Sequence, residues 1–252
     1  MFALLLILLL MADIGYGLQC ITNCSLGRYQ FGQIFNIPDG QCQQRISGSV
    51  CSIDITFDYH ENWYYVSFDT LMVSADYFYI SSIPYLSYSI KYQCSKGTDC
   101  VLSYAQNRIN EMISRNYNAQ TIYGQLAPII ENSSRNGSIQ CYNMKNEIVV
   151  CTSKQSCSVV YDQRERRVVS RGCSENNGPK VFVYDGRYHT SFDVECNHNL
   201  CNTDETLSKI KIVFNNNGLT DANGRRIADG NKQMVSSLLM TLTLIFIAVY
   251  YF

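Results

Sequence analysis

Residues 195–202 read ECNHNLCN. Two cysteines, Cys196 and Cys201, enclose a polar, asparagine-rich spacer, and Asn202 follows the second at once. The string admits three readings: a metal clip, a redox pair, or a disulfide that closes a small scaffold. A zinc set drawn from Cys196, His198 and Cys201 fits no common zinc spacing. The compartment in which the chain folds decides among the rest.

Both ends of the chain read as processing signals. The apolar run FALLLILLLM at 2–11 is short for a membrane span. It leads to Gly15-Tyr16-Gly17, a small-residue site, so residues 1–17 are expected to be a signal peptide cleaved after Gly17. No Lys or Arg precedes the run, which leaves a signal anchor as the alternative. At the other end, residues 234–252 are apolar with nothing basic behind them. Before them lie the polar stretch ANGRRIADGNKQ and the small-residue run Asp221-Ala222-Asn223-Gly224. Small site, polar spacer and hydrophobic tail are the order of a glycosylphosphatidylinositol (GPI) signal. Asn223 is the expected attachment residue, with Asp229 or Gly230 also serviceable, and 204–233 reads as a polar spacer. A plain single-pass transmembrane segment is the competing reading. Either way the expected location is the outer face of the cell membrane.

In such an oxidising compartment the 12 cysteines read as six disulfides. Net charge is −1 with a pI near 6.3, which argues against a nucleic-acid partner. Three glycosylation sequons begin at Asn23, Asn132 and Asn136; the first has Cys24 in its middle place. The stretch 132–137 reads as a linker, with six cysteines on each side of it.

The first half, 18–131, opens with polar, glycine-containing segments. VCSIDITFDY then alternates Cys51, Ile53, Ile55 and Phe57 with Ser52, Asp54, Thr56 and Asp58. That period of two marks a strand with one buried face. WYYVSF, DYFYI and SYSIKYQC continue an antiparallel sheet. From Val101 the apolar residues Leu102, Ala105, Ile109, Met112 and Ile113 take helical spacing. Ile122 to Ile130 extends the helical region, with Gly124 and Pro128 as breakers. Cys94 and Cys100 are near enough to pair. Connectivity among Cys20, Cys24, Cys42 and Cys51 stays open, since six cysteines allow fifteen pairings.

The second half, 138–203, is a series of short β runs: SIQCYN, EIVVCTS, CSVVYD, RVVSRGC, KVFVY and YHTSFDVEC. Asp185-Gly186 between the last two reads as a hairpin turn. Thin hairpins of this length cannot bury a large core, so disulfides must hold the base. The half resembles the three-finger fold of the lymphocyte-antigen-6 and urokinase-receptor family. The residues that carry the likeness are Cys141, Cys151, QSCSVVY around Cys157, VSRGC ending at Cys173, and FDVECNHNLCN. The resemblance implies bridges Cys141–Cys157, Cys151–Cys173 and Cys196–Cys201, with Asn202 capping the base through backbone hydrogen bonds. It departs from the family in having fewer cysteines: the bridge inside finger one and the brace of finger three are missing, and Glu195 stands where a cysteine often precedes Cys196. LQC and CSKGTDC in the first half make a diverged second copy conceivable. The helix and long strands favour a separate unit instead. The expected fold is therefore disulfide-rich and mainly β: a C-terminal three-finger β domain preceded by a small α+β domain (antiparallel sheet plus helix).

No catalytic or phosphate-binding motif of the common kinds occurs. A catalytic cysteine would leave an odd number for pairing. His60 falls in a turn, and Asp54 and Asp58 lie on an outward strand face, where solvated side chains are expected. No enzyme activity, cofactor or metal is expected. The resemblance implies recognition of an extracellular or membrane protein, such as a receptor, a channel or a neighbouring cell. Arg164, Arg166 and Arg167, at the tip of finger two, are candidates for contact with an acidic partner, because guanidinium groups bind carboxylates in a forked geometry. A structural or adhesion coat and an enzymatic first domain are the alternatives.

Overall fold

A computed structural model describes residues 18–69, 74–81, 85–97, 100–132, 137–175 and 178–227. The expected N-terminal signal, Asn136 and the apolar C-terminal run lie outside them. Among the described residues no helix is long and apolar enough to cross a membrane.

The described residues are mainly β, with three helices and six disulfides. In the first half β1 (Leu18–Ile21) pairs with β4 (Arg45–Gly48), and the loop between them carries β2 (Cys24–Ser25) and β3 (Tyr29–Gln30). Two hairpins follow: β5 (Cys51–Asp58) with β6 (Trp63–Asp69), and β7 (Ala75–Ser81) with β8 (Tyr85–Cys94). Helices α1 (Cys100–Arg115) and α2 (Ala119–Ile130) complete this half. The Asn118 side chain caps α2 by accepting from the Thr121 N–H at 2.8 Å. Gly124 and Pro128, expected as breakers, lie inside α2.

The second half repeats the plan. It has hairpin one, β9 (Ile139–Tyr142) and β10 (Ile148–Cys151); hairpin two, β11 (Ser156–Asp162) and β12 (Arg167–Ser174); and hairpin three, β13 (Lys180–Gly186) and β14 (Thr190–Cys196). Helix α3 (Asp204–Asn216) follows. In both halves the first cysteine of hairpin two lies opposite the last of hairpin three, Cys51 facing Cys94 and Cys157 facing Cys196. Each last cysteine closes a short loop, to Cys100 or to Cys201, before a helix. Even the turns match. Asp58 accepts the His60 and Glu61 N–H groups, as Asp162 accepts those of Arg164 and Glu165. Asn62 and Arg166 both end their turn at positive φ. The α+β description of the first half holds, yet the two halves share one topology.

They also share one sheet. Its strand order is β12-β11-β14-β13-β7-β8-β5-β6-β2, with β3 beside β6. At the centre β7 and β13 run antiparallel, Ala75 opposite Gly186 and Ser81 opposite Lys180. This pairing is unchanged when the two strands exchange places, so an approximate two-fold axis passes between them. The alternating residues Ile53, Ile55, Phe57, Phe78, Tyr88, Ile90, Val181, Val183, Phe192 and Val194 are all buried. They form one face, and the helices pack on it. Tyr104 of α1 stacks on Tyr92 at 3.6 Å, and Phe214 of α3 meets Phe78 and Phe192 at 5.1 and 5.6 Å.

Three sequence expectations need correction. Asp58, expected to be solvated on an outward strand face, is 3% exposed, and Asp54 on the same face is only partly exposed, because that face is covered as well: Ser52 and Thr56 beside them are buried too. Residues 204–216 are not spacer but helix, capped by Thr203, whose Oγ1 accepts from the Thr206 N–H at 3.1 Å. Leu207, Ile210 and Phe214 are buried at helical spacing. The chain stays folded to the bridge between Thr220 and Arg226. The turn of hairpin three falls after Asp185-Gly186, not on it, since Asp185 still pairs with Thr190. A Cβ at Gly186 would sit 2.4 Å from the far end of the Tyr184 side chain, so a larger residue there requires that ring to move.

Candidate recognition surface

The opening string proves to be a joint. Cys196–Cys201, Cys141–Cys157 and Cys151–Cys173 are bridged. Asn202, wholly buried, accepts the Tyr142 N–H at 3.0 Å and donates to the carbonyls of Tyr142 at 2.8 Å and Ser158 at 3.0 Å. It thereby ties β9 to β11. Of the spacer residues, Asn199 and Leu200 bond to Gln140 of their own half, while Asn197 and His198 face the other half. The Asn197 N–H donates to the Ile130 carbonyl at 2.9 Å, and His198 Nε2 lies 2.8 Å from the Ile129 carbonyl. These carbonyls end α2 and would otherwise lack partners. His198 thus binds a helix end, and the sulfurs beside it are consumed by a disulfide. The sulfurs of Cys141, Cys151 and Cys173 also gather closely, but each is bridged, so none offers a thiolate to a metal.

In the first half Cys20–Cys51 and Cys94–Cys100 match the second half's plan, while Cys24–Cys42 braces the long loop of β1 and β4. Val101, 3% exposed, stands where Asn202 stands in the second half. Apolar contact under α1 replaces the polar cap.

The three arginines at the tip of hairpin two do not act alike. Arg164 donates to the carbonyls of Gly186, Arg187 and Tyr188, all at 2.8 or 2.9 Å, and so clamps the turn of hairpin three. Arg167 pairs with Glu165 at 2.6 Å. Arg166 is exposed and lines a hollow of about 280 Å³ with Tyr161, Gln163, Lys211, Asn223 and Arg225. Beneath it, buried Gln163 donates to the Gly224 carbonyl at 2.6 Å.

A charge cluster missed by sequence reading joins the halves under the helices. Asp76, 7% exposed, lies 3.4 Å from Arg108 of α1 and 2.8 Å from Arg226. Arg226 also reaches Asp185 at 3.5 Å. Burial raises the Asp76 carboxyl above its ordinary pKa, and the two guanidiniums oppose the rise. The wholly buried Tyr88 hydroxyl is pushed up by the same desolvation.

Exposed apolar side chains concentrate on hairpin one and the edge of hairpin two: Met144 52%, Ile148 54%, Val150 68% and Val169 39%. Arg171 of β12 donates to Asn146 at 2.7 Å, and Cys151–Cys173 joins the same elements, so the four residues share one region. In the first half an open depression of about 560 Å³ is lined by Arg28, Tyr29, Gln33 and the exposed Ile34. Asn23 and Asn132 are exposed, as glycan acceptors must be, and Asn223 is exposed in a tight turn.

No protein-family model matches the chain, and no curated protein matches it either. The disulfide-rich, mainly β architecture with six bridges is compatible with a domain of the lymphocyte-antigen-6 and urokinase-receptor type.

Proposed function

We propose that the chain is a cell-surface glycoprotein of the three-finger family. It is held by a C-terminal anchor, GPI in preference to a transmembrane segment, and works by binding an extracellular or membrane protein. The observation that carries this reading is the exposure of Met144, Ile148, Val150 and Val169 on hairpins one and two of the second half. Exposed clusters of large apolar residues on an otherwise polar surface mark interaction sites. The interior supports the same reading. Phe57, Tyr59, Tyr64 and Tyr88 belong to one buried core cluster of the first half with Ile109 and Met112. A structural coat protein is the second reading, favoured by the long continuous sheet.

The disulfide-bonded protein, presented as a multimer, is expected to bind target cells saturably. Ile148→Asp with Val150→Asp is expected to abolish that binding while all six bridges remain. Binding that never saturates, or that ignores both substitutions, favours the coat. Release of the intact chain by phosphatidylinositol-specific phospholipase tests the anchor, and retention on the cell would favour a transmembrane segment.

A further inference from the structure

Helix α3 starts at the disulfide base, beside Asn202, and runs back along the sheet to the far ends of hairpins two and three. There the tail is fixed by Gln163 on the Gly224 carbonyl and by Arg226 on Asp76 and Asp185. The described chain ends at Ile227, and six residues, 228–233, separate it from the apolar run at 234. Fully extended they reach roughly 20 Å. The described chain therefore ends at the hairpin tips and not at the base.

Those tips are basic. Arg166, Arg187, Lys211 and Arg225 come from four different elements, and none has a carboxylate within salt-bridge distance among the described residues. The neighbouring acids are engaged: Glu165 by Arg167, Asp185 by Arg226, and Asp162 and Asp221 by backbone N–H groups. Lys211 Nζ is held 3.7 Å over the Tyr161 ring at the wall of the 280 Å³ hollow. Tyr188, 72% exposed with Arg187 over its ring, projects from the adjacent turn. Cations around an exposed tyrosine are the side chains that settle at a membrane–water boundary. The corresponding turn of the first half, Tyr59 to Asn62, contains no Lys or Arg.

We infer that the tips of hairpins two and three face the membrane, and that Arg166, Arg187, Lys211 and Arg225 form a seat for the phosphodiesters of bilayer headgroups. The inference rests on the anchored reading above, with the anchor beyond Ile227 and not at Asn223, since attachment there would remove Arg225, and it turns that reading round: the tips dock on lipid, which leaves hairpin one and the 560 Å³ depression for protein partners.

The test is amide exchange on the full chain, in bilayer nanodiscs of phosphatidylcholine with phosphatidylglycerol and in maltoside micelles free of phosphate. Exchange in 163–167, 186–189 and 221–226 is expected to slow several-fold in the bilayer. Raising salt should weaken the effect. Arg166→Glu, Arg187→Glu and Arg225→Glu together should remove it, and the same three positions changed to Lys should keep it. Equal exchange in both media, protection confined to the 143–150 turn, or protection by inorganic phosphate in micelles without a bilayer would each overturn the inference. Failure of the chain to enter nanodiscs at all would instead count against the anchor.

Discussion

Asn202 shows how much a single buried amide can hold. Its side chain makes three hydrogen bonds to two strands that no other backbone ladder connects. Asn202→Ala should cost about 2–4 kcal/mol, since each buried partner left unsatisfied costs about 1–3 kcal/mol. The shift of the denaturant midpoint with all disulfides intact measures it, and a loss under the lower bound would mean that water replaces the amide. Asp162 acts in a turn and depends on pH. The Glu165 N–H is the main cause that lowers its carboxyl pKa, with the Arg164 N–H and guanidinium adding to it. A lowered folded pKa gives stability that is present above the ordinary aspartate pKa and is lost as pH falls through the folded value. Asp162→Asn keeps an acceptor but should flatten the acid limb of a stability–pH curve below about pH 4. An unchanged acid limb would refute that role.

At the scale of elements, α3 and its tail do the joining. Phe214 is wholly buried between Phe78 of the first half and Phe192 of the second. Phe214→Ala should cost about 3–5 kcal/mol by cavity formation, read from thermal or denaturant unfolding. Arg226→Ala leaves buried Asp76 with Arg108 alone, and removing one partner of a buried pair costs about 3 kcal/mol. The sign of its pH dependence follows from the raised Asp76 carboxyl. Below the ordinary aspartate pKa the group is protonated in both states and the loss is smallest; the loss grows as pH rises through the raised folded value. A loss that did not vary with pH would remove Asp76 from the account. Anchoring at Asn223 would discard both Gly224 and Arg226, so the tail's contacts favour attachment beyond them. Most strands were legible because their apolar residues share one buried face, which writes a period of two into YHTSFDVEC and into VCSIDITFDY, although Ser52, Thr56 and Asp58 on the other face of the latter are buried as well. Helix α3 was legible too, in Leu207, Ile210 and Phe214 after Thr203-Asp204-Glu205, but its polar outer face reads as spacer. β1 to β4 were not, because short, half-exposed strands carry no period. The Asp185-Gly186 signal misplaced a turn because Asp185 still pairs with Thr190 and the chain reverses between Gly186 and His189.

At the scale of the molecule, the two halves hold six cysteines each and one plan between them. What the residues could not disclose was the junction. β7 and β13 are far apart in sequence, and nothing local records that Tyr77 will face Tyr184 or Phe182 face Tyr79. In each strand these side chains hold equivalent places, and together they put an aromatic quartet astride the two-fold axis on the face opposite the helices. The junction has a consequence for folding. Seven residue pairs join β7 to β13, α2 touches both halves, and Asn197 and His198 close the end of α2. Neither half can lose its sheet without exposing an edge and a row of unpaired backbone groups in the other. Although each half has its own three bridges, the chain should therefore unfold in one transition, with equal calorimetric and van't Hoff enthalpies. Val183→Pro would remove a ladder donor at the centre of the junction. It should split that transition in two, each half then melting on its own bridges. Two transitions in the unaltered chain would show the halves to be independent domains that merely touch.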